Sequence, residues 1–400
     1  GISKQQSIKN PSDIYCMSEG SSILRETGCH LKNQLSHCIR LRADDSVTDW
    51  YDGKPYMIRR SRGYAPLPFF FGKGGERDVL AIGGELKTCF CIGRHNLFYP
   101  SPYIGDMADI RTVTALRQSI ERMTSLLEAK PAVVACDLHP RYNTTAVARE
   151  MGLPVIPVQH HYAHILSCMA ENDWEKPLIG VSFDGTGYGS DATIWGGEIL
   201  CCDIHGFRRS VSIQPFWQRG GDASAREGWR IAVSLIDSLT QDRSEAAEII
   251  EKLQLCSLQE RQAQFFLADQ KINSVLSTSA GRLFDGVSAI LGLCRASTFE
   301  GEASMRLQFA AEAWAAAHEV PPVESIAPLQ APERLLLPTE DLVRQLVRAV
   351  LDGADTGRLA YEFHRQLVGM IVGTCQTLRE ETKLNTVALS GGVFQNRLLL

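Results

Sequence analysis

Three histidines within five residues are the sharpest chemical feature of this sequence. They lie in residues 159–164, QHHYAH, directly after an apolar run typical of a strand and at the predicted start of a helix. His160 and His164 are four residues apart, so both imidazoles point from one helix face and are placed to bind one metal ion. Cys168 lies eight residues, about 12 Å, along the helix axis from His160, too far to reach the same ion. A third ligand must come from elsewhere, and the alternative is a pair of partly buried histidines that cap a helix.

Glycines follow the predicted strand 178–183 in residues 184–189, DGTGYG. Gly185 and Gly187 allow backbone N–H groups to point into one concavity without Cβ clashes, which is how a loop receives phosphate. The Asp184 carboxylate is placed to hold a cation beside it. The segment matches neither a Walker loop, nor a Rossmann fingerprint, nor an EF-hand. Taken alone, a glycine-rich turn at the tip of a hairpin is the commoner interpretation.

Two further segments carry small residues at the end of a predicted element. Residues 279–286, SAGRLFDG, open a helix, and residues 389–396, LSGGVFQN, close a strand. Gly281 admits an anionic ligand close to a helix N-terminus, and Asp285 is placed to accept hydrogen bonds from ribose hydroxyls. Together with the two hairpins, these segments predict an enclosure for one nucleotide. Each segment alone is equally well explained as a turn or a cap.

A fifth segment, residues 220–230, combines an acidic helix cap with two arginines. Asp222 is predicted as the N-cap, and Arg226 and Arg230 then lie one helical turn apart. Two guanidinium groups on one helix face suit phosphate oxygens. Pairing with Glu227 and other surface carboxylates is the more frequent use of such arginines.

Strands and helices alternate around these motifs. In chain order, the predicted elements are a helix at about 109–128, a strand at 132–136, a helix near 142–151 and a strand at 154–158. This alternation indicates a mixed or parallel sheet covered on both faces.

Two predicted hairpins, at 78–93 and 178–200, open this pattern twice, about 100 residues apart. A glycine-rich link at 72–75 precedes the first hairpin. The chain is mainly helical from residue 222 to about 382, and a last strand at 386–390 runs into a double glycine. The sequence therefore predicts an α/β fold with a duplicated opening.

Composition restricts the class of protein further. The formal net charge of -5 gives no overall attraction to nucleic acid or to an anionic membrane. No apolar run is long enough to cross a bilayer and no export signal opens the chain, so the expected location is the cytoplasm. The twelve cysteines contain no Cys-x-x-Cys pair, which argues against a zinc ribbon.

The motifs occur in the order of one known family. They are 83–87 GGELK, 137–140 DLHP, 160–164 HHYAH, 184–189 DGTGYG, 220–222 GGD, 280–285 AGRLFD, 300–303 EGEA and 390–393 SGGV. Over residues 44–400 the chain resembles the carbamoyltransferase HypF family of nickel-iron hydrogenase maturation factors. The resemblance implies a bilobal actin-like ATPase fold of the ASKHA, Kae1-like type, with lobes at about 77–175 and 176–400. Residues 1–76 are then a remnant of a YrdC-like nucleotide-binding domain, of which 1–40 are atypical.

The resemblance also implies a reaction. In the family, an acylphosphatase domain hydrolyses carbamoyl phosphate, and a YrdC-like domain makes carbamoyl adenylate from the carbamate and ATP. The Kae1-like domain then transfers the carbamoyl group to the C-terminal cysteine of the HypE protein. The resulting thiocarboxamide becomes the cyanide ligand of the hydrogenase iron.

Site residues follow by position from the same resemblance. His160, His164 and Asp184 are the implied metal ligands, with iron or zinc as the divalent ion and Mg expected with the nucleotide. Asp184 and Arg226 are the implied catalytic residues. The implied nucleotide-binding residues are Gly185, Gly187, Gly281, Asp285, Gly391, Gly392 and Asn396.

Departures from the family pattern lead to a further expectation. The acylphosphatase domain and the Cys-x-x-Cys motifs have no counterpart here, and residues 101–106, SPYIGD, differ from the usual SQHIGD. The sequence ends before the Asp-Gly-Gly segment that usually supplies a last metal ligand. We expect a fragment, truncated at its C-terminus, that does not by itself turn over carbamoyl phosphate and ATP.

Two other functions remain open from the sequence. One is an O-carbamoyltransferase that acts on a small-molecule alcohol, and the other is a catalytically silent docking module that binds nucleotide and a partner protein. Residues 59–64, RRSRGY, favour the hydrogenase factor, because a YrdC-like domain precedes the lobes in that family.

Overall fold

The computed structural model describes residues 43–400 of the chain. The predicted atypical segment 1–40 lies outside the described residues. The first described elements form an antiparallel hairpin of β1 (Val47–Tyr51) and β2 (Lys54–Arg59). This hairpin contacts the other end of the chain, because the Arg397 guanidinium donates from Nε to an Asp49 carboxylate oxygen at 3.1 Å.

A four-stranded sheet follows the hairpin, in the order β4-β3-β5-β6. Its elements are β3 (Phe69–Ile82), β4 (Phe90–Pro100), α1 (Ile110–Leu126), β5 (Val133–Asp137), α2 (Asn143–Glu150) and β6 (Val155–Val158). β3 and β4 pair antiparallel, whereas β5 runs parallel to both β3 and β6. Helix α1 buries Val113, Leu116, Ile120 and Met123 at helical spacing, and these side chains join the core of this sheet.

The sequence suggested that the glycine-rich segment 72–75 is a link, but in the structure it is part of a strand. It lies inside β3, where the register with β4 is interrupted between Phe70 and Gly75. A Cβ atom at Gly74 would lie 2.1 Å from the carbonyl oxygen of His95. Glycine is therefore required here by close approach of the paired strand at a bulge.

The second sheet has seven strands and carries most of the helices. Its strands are β7 (Leu178–Tyr188), β8 (Ile194–Cys202), β9 (Phe207–Ile213), β10 (Phe216–Arg219), β11 (Ser274–Ser277), β12 (Leu335–Leu337) and β13 (Val387–Ser390). The helices are α3 (His160–Glu171), which precedes β7, then α4 (Gly228–Leu239), α5 (Arg243–Lys252), α6 (Leu258–Gln270), α7 (Ala280–Ile290), α8 (Glu302–Ala317), α9 (Thr339–Leu351) and α10 (Thr356–Thr382).

The second sheet repeats the start of the first. β7 and β8 pair antiparallel as β3 and β4 do, and β13 pairs parallel with β7 as β5 does with β3. The predicted α/β fold with two similar openings is confirmed. Among residues 43–400, no helix combines the length and the apolar character needed to cross a membrane.

Helix α3 connects the two sheets. It follows β6 of the first sheet along the chain, but its buried stripe of His161, Ile165 and Met169 faces the second sheet. Ile165 packs against β7 at Gly180, where a Cβ atom would lie 2.6 Å from the Ile165 side chain. The absence of a side chain at Gly180 therefore sets how closely α3 approaches β7.

Lowering the pH from 7 to 5 should destabilise the protein through His364 on α10. This side chain is 1% exposed, its Nδ1 donates to the Ala360 carbonyl at 2.7 Å, and the Asn396 amide donates to its Nε2 at 2.8 Å. Burial lowers the pKa of His364 from 6.5 to about 4, against a weaker effect of the Ala360 hydrogen bond. Since the unfolded chain takes up this proton near pH 6.5, stability is lost as the pH falls from 6.5 toward 4, by about 2 kcal/mol at pH 5.

Urea denaturation at the two pH values tests this prediction. The substitution His364→Gln should reduce the difference in unfolding free energy between pH 7 and pH 5 by about 2 kcal/mol. His205→Gln, at an exposed histidine, is the matched control and should leave the difference unchanged. Equal pH dependence in wild type and His364→Gln would contradict the assignment.

Candidate metal centre

His160 and His164 open helix α3, two residues after β6 ends. The Gln159 side chain fixes this start, because it accepts a hydrogen bond from the Tyr162 N–H at 2.9 Å. The two Nε2 atoms point toward Asp184, whose Oδ2 lies 3.3 Å from His160 Nε2 and 3.5 Å from His164 Nε2. One nitrogen or oxygen atom from each of the three residues lies within 4.8 Å of the others. The structure thus brings together the three predicted metal ligands.

Electrostatics favour the charged forms of Asp184 and His160. Burial alone raises the pKa of Asp184, but hydrogen bonds and charges from His160 and His164 outweigh it and hold the pKa well below its usual range. Burial alone lowers the pKa of His160, but the carboxylates of Asp137 and Asp184 outweigh it and raise the pKa to about 10. An ion that binds His160 through Nε2 must therefore displace a proton.

The donor set fits a divalent transition metal. Two imidazoles and one carboxylate are ligands of zinc and of ferrous iron, and three protein ligands leave coordination positions for a substrate or water. All three side chains are partly exposed, so an ion and a small ligand have access to them. Within residues 43–400 this is the one group of three such residues with this geometry.

His161, between the two predicted ligands in sequence, has a different environment. It is fully buried, and the Gln159 amide donates to its Nδ1 at 3.2 Å. Burial first, and the neighbouring His160 second, lower its pKa well below the usual value. A Cβ atom at Gly187 would lie 2.5 Å from His161 Cε1 and 2.9 Å from His160 Cβ. The structure therefore places Gly187, a predicted nucleotide-binding residue, against the two histidines.

Segment 184–189 is not a loop at a hairpin tip. Its first five residues belong to β7, and the register with β8 is interrupted between Phe183 and Gly187. The turn itself follows, where Gly189 N–H donates to the Thr193 carbonyl at 2.9 Å. A bulge re-aims side chains that would otherwise alternate across the sheet, and here it turns Asp184 toward α3.

Gly185 and Gly281 meet at this bulge. A Cβ atom at Gly281 would lie 2.8 Å from Gly185 Cα, and the Ser279 hydroxyl donates to the Gly185 carbonyl at 2.6 Å. Ser279 also caps α7 by accepting from the Arg282 N–H at 3.0 Å. Two predicted nucleotide-binding glycines are therefore in contact with each other, at the point where the N-terminus of α7 approaches β7.

Gly391 and Gly392 reach the same bulge from β13. Gly391 has φ +106°, and a Cβ atom there would lie 2.1 Å from the Phe183 carbonyl oxygen. The Gly392 N–H donates to Asp184 Oδ1 at 3.2 Å, which leaves Oδ2 facing the histidines. In this structure Gly392 therefore orients a predicted metal ligand.

Asp285 and Asn396 have their polar groups engaged inside the protein. Asp285 is 6% exposed and forms an ion pair with Arg282 Nε at 3.0 Å, while its burial raises the pKa to about 6 against the effect of Arg282. The Asn396 amide donates to His364, and its oxygen accepts from the Leu398 N–H at 3.0 Å. Their contact with a nucleotide stays a prediction.

The predicted arrangement of Asp222, Arg226 and Arg230 on one helix is wrong. Asp222 lies in a short 3₁₀ helix at 221–225, and Arg226 follows that helix before α4 begins. The backbone leaves the helical conformation at Glu227, with φ −102° and ψ 78°, so no continuous α-helix carries both arginines. Arg230 pairs with Glu227, whereas Arg226 is exposed on the connecting segment. The catalytic role of Arg226 stays a prediction.

Comparison with known proteins identifies the family. The model of the HypF Kae1-like domain matches residues 74–171, and the model of the carbamoyltransferase Kae1-like domain, second subdomain, matches residues 180–400. The chain belongs to the HypF carbamoyltransferase family. The two matched regions correspond to the two sheets, and the fold predicted from the resemblance is confirmed.

The chain matches one relative that is about twice as long as the matched region and another of which the match covers most of the length. The carbamoyltransferase HypF of Synechocystis sp. is 34% identical over 372 residues, which are 89% of this chain and 47% of that protein. A carbamoyltransferase HypF homolog of Cupriavidus necator is 33% identical over 328 residues, 80% of this chain and 82% of that protein. The crystal structure of full-length HypF in the phosphate- and nucleotide-bound form superposes with a TM-score of 0.82 at 33% identity, covering 90% of this chain and 46% of that one. The chain spans about half the length of the Synechocystis relative.

Sequence reasoning missed one residue in contact with the site. Asp137 is the last residue of β5, and its Oδ2 lies 2.7 Å from His160 Nδ1. A signal for it existed in the sequence. β5 and β6 are neighbouring parallel strands, whose carboxyl ends share one edge of the sheet, and the segment after β6 carries His160.

Proposed function

We propose that residues 43–400 transfer a carbamoyl group from carbamoyl adenylate to a protein thiol, the C-terminal cysteine of HypE, during maturation of nickel-iron hydrogenases. Membership of the HypF family supports the reaction type. The observation that carries the proposal is the cluster of His160, His164 and Asp184 beside the bulge of β7, where the predicted nucleotide-binding glycines converge.

The cluster is suited to an acyl-type transfer next to a nucleotide. A divalent ion, iron or zinc, held by the cluster would polarise the carbamoyl oxygen as a Lewis acid. On the Cβ side of Gly185 the nearest heavy atom is an Arg282 guanidinium nitrogen at 3.8 Å, so this backbone surface is open, as is needed beside the phosphate of an adenylate. Gly392 N–H keeps the Asp184 carboxylate oriented toward the histidines.

The proposed step conserves atoms and charge. The cysteine thiol releases its proton to solvent, and its sulfur forms a bond to the carbamoyl carbon. The bond from that carbon to the phosphate oxygen of the adenylate breaks, and AMP leaves with the bonding electron pair. Carbamoyl phosphate and ATP are the sources of the adenylate, with Mg accompanying the nucleotide.

Mass spectrometry of HypE tests the proposed acceptor. After incubation with this chain and carbamoyl adenylate, HypE should gain one carbamoyl group, and peptide mapping should place it on the terminal cysteine. HypE with that cysteine replaced by alanine should gain nothing, and the variant Asp184→Asn of this chain should modify wild-type HypE at less than about 1% of the wild-type rate. Complex formation without modification would indicate a docking module instead, and carbamoylation of an added alcohol alone would indicate an O-carbamoyltransferase.

A further inference from the structure

A carboxylate outside the ligand set is held against the first histidine. Asp137 is 7% exposed, and its two oxygens have different partners. Oδ1 accepts a hydrogen bond from the His139 N–H at 2.8 Å, which ties the carboxylate to the turn after β5. Oδ2 lies 2.7 Å from His160 Nδ1. The carboxylate is thus fixed by the main chain and is not free to turn away from His160.

This contact determines which nitrogen of His160 is available to an ion. With Nδ1 facing a carboxylate, the neutral ring must carry its proton on Nδ1, and the lone pair is then on Nε2. Nε2 is the atom that faces Asp184 at 3.3 Å. The backbone at Gly84 covers the pair, since a Cβ atom there would lie 3.5 Å from His160 Cε1 and 3.6 Å from Asp137 Oδ2.

Among residues 43–400, the second histidine has no comparable support. His164 Nδ1 lies 3.5 Å from the Ser390 hydroxyl, at the limit of a hydrogen bond, and that partner is neutral. Its Nε2 faces Asp184 at 3.5 Å. A charged carboxylate therefore orients His160, whereas only a distant neutral hydroxyl faces His164.

Building on the proposed function, we propose that Asp137 is a positioning residue that holds His160 in the Nε2-coordinating form and makes it the stronger of the two imidazole ligands. Asp137 acts only through His160 and touches neither substrate nor ion. An interaction of this kind with a ligating histidine affects metal affinity by about 10- to 100-fold. A carboxylate that merely stabilises the turn at His139 would not affect the affinity.

Zinc and cobalt titrations of the purified chain separate these roles. Asp137→Ala should weaken Zn²⁺ affinity by about 10- to 100-fold in competition with a chromogenic chelator. Asp137→Asn retains the acceptor for the His139 N–H but not the negative charge, and it should weaken affinity by at least about fivefold. Ser390→Ala, at the corresponding partner of His164, is the matched control and should change affinity by less than about threefold. With Co²⁺ bound, the visible absorption bands should shift in the Asp137 variants and not in Ser390→Ala.

The outcomes distinguish this proposal from the function it rests on. Wild-type Zn²⁺ affinity in Asp137→Asn would overturn the positioning role and leave carbamoyl transfer untouched, and this variant also decides the question if Asp137→Ala fails to fold. The predicted order of affinities without any modification of HypE by the wild-type chain would support Asp137 and overturn the proposed function. Absence of metal binding by the wild-type chain would overturn both.

Discussion

Replacing His160 and His164 together by alanine should remove the bound divalent ion from this chain while leaving the protein folded. The two imidazoles supply two of the three ligand atoms that lie within 4.8 Å of one another. If the three ligands contribute equally to a metal-binding free energy typical of protein zinc sites, loss of two of them should lower metal affinity by at least about 1,000-fold. Neither side chain belongs to the apolar cores of the two sheets or to the apolar cluster under α3, so those cores are retained in the double variant. Elemental analysis of iron and zinc in the purified proteins measures the effect.

A matched histidine variant provides the control for this result. His205→Ala removes an exposed imidazole that lies after β8 and is not part of the cluster, and it should retain the metal content of the wild type. Circular dichroism of the double variant should show wild-type helix content. Unchanged iron and zinc content in the folded double variant would refute the metal site.

Replacing Gly187 by alanine should destabilise the protein and weaken metal binding at the same time. The new methyl group would lie 2.5 Å from Cε1 of the fully buried His161 and 2.9 Å from His160 Cβ. No real Cβ atom tolerates these distances, so the start of α3 must move away from β7. Overpacking of this kind costs about 1–3 kcal/mol of unfolding free energy. Since the displaced residues include a ligand, Zn²⁺ affinity should fall by at least about tenfold.

Gly185, two residues earlier on the same strand, provides the comparison. A Cβ atom there would have only the Arg282 guanidinium nearby, at an ordinary contact distance of 3.8 Å. Gly185→Ala should therefore retain the unfolding free energy within about 0.5 kcal/mol and keep wild-type Zn²⁺ affinity. Equal losses in the two variants, measured by urea denaturation and chelator competition, would show that the close packing of Gly187 on α3 is not responsible.

The helices and most strands were predictable because their signals are local. The helix predicted at about 109–128 occurs at Ile110–Leu126, and the strand predicted at 154–158 occurs at Val155–Val158. On α10, the apolar residues Phe363, Leu367 and Leu378 recur at helical spacing in the sequence, and all three are buried. Spacing of apolar residues within one element determines these features, and no contact with a distant segment is needed to predict them.

The glycine-rich segments were misread because their meaning depends on distant residues. At 72–75 and 184–189 the sequence suggested a link and a loop, but both segments lie largely within strands that carry a bulge. What requires glycine is the approach of His95 in one case and of His160 and His161 in the other. Nothing near either segment in the sequence indicates which neighbour will lie there.

The candidate site was predictable only where its signals are local in the sequence. Helical spacing alone predicted that His160 and His164 share a face, whereas the role of Asp184 beside them came from family resemblance. The contact of Asp137 with His160 depends on the order of β5 and β6 in the sheet, which the sequence analysis did not use. The arginine pair failed because the backbone of Glu227, between Arg226 and Arg230, is not helical.

The position of α3 has a consequence for how the protein unfolds. The helix is continuous in sequence with the first sheet, yet Ile165 and Met169 pack in a cluster with Leu178 and Leu200 of the second. Unfolding of the second sheet would expose the apolar side chains of Ile165 and Met169. Unfolding of the first sheet would remove β6, which precedes the helix, and the Asp137 carboxylate, which contacts His160 at the start of the helix. Although each sheet has its own core, the two halves are therefore thermodynamically coupled and are expected to melt in a single cooperative transition.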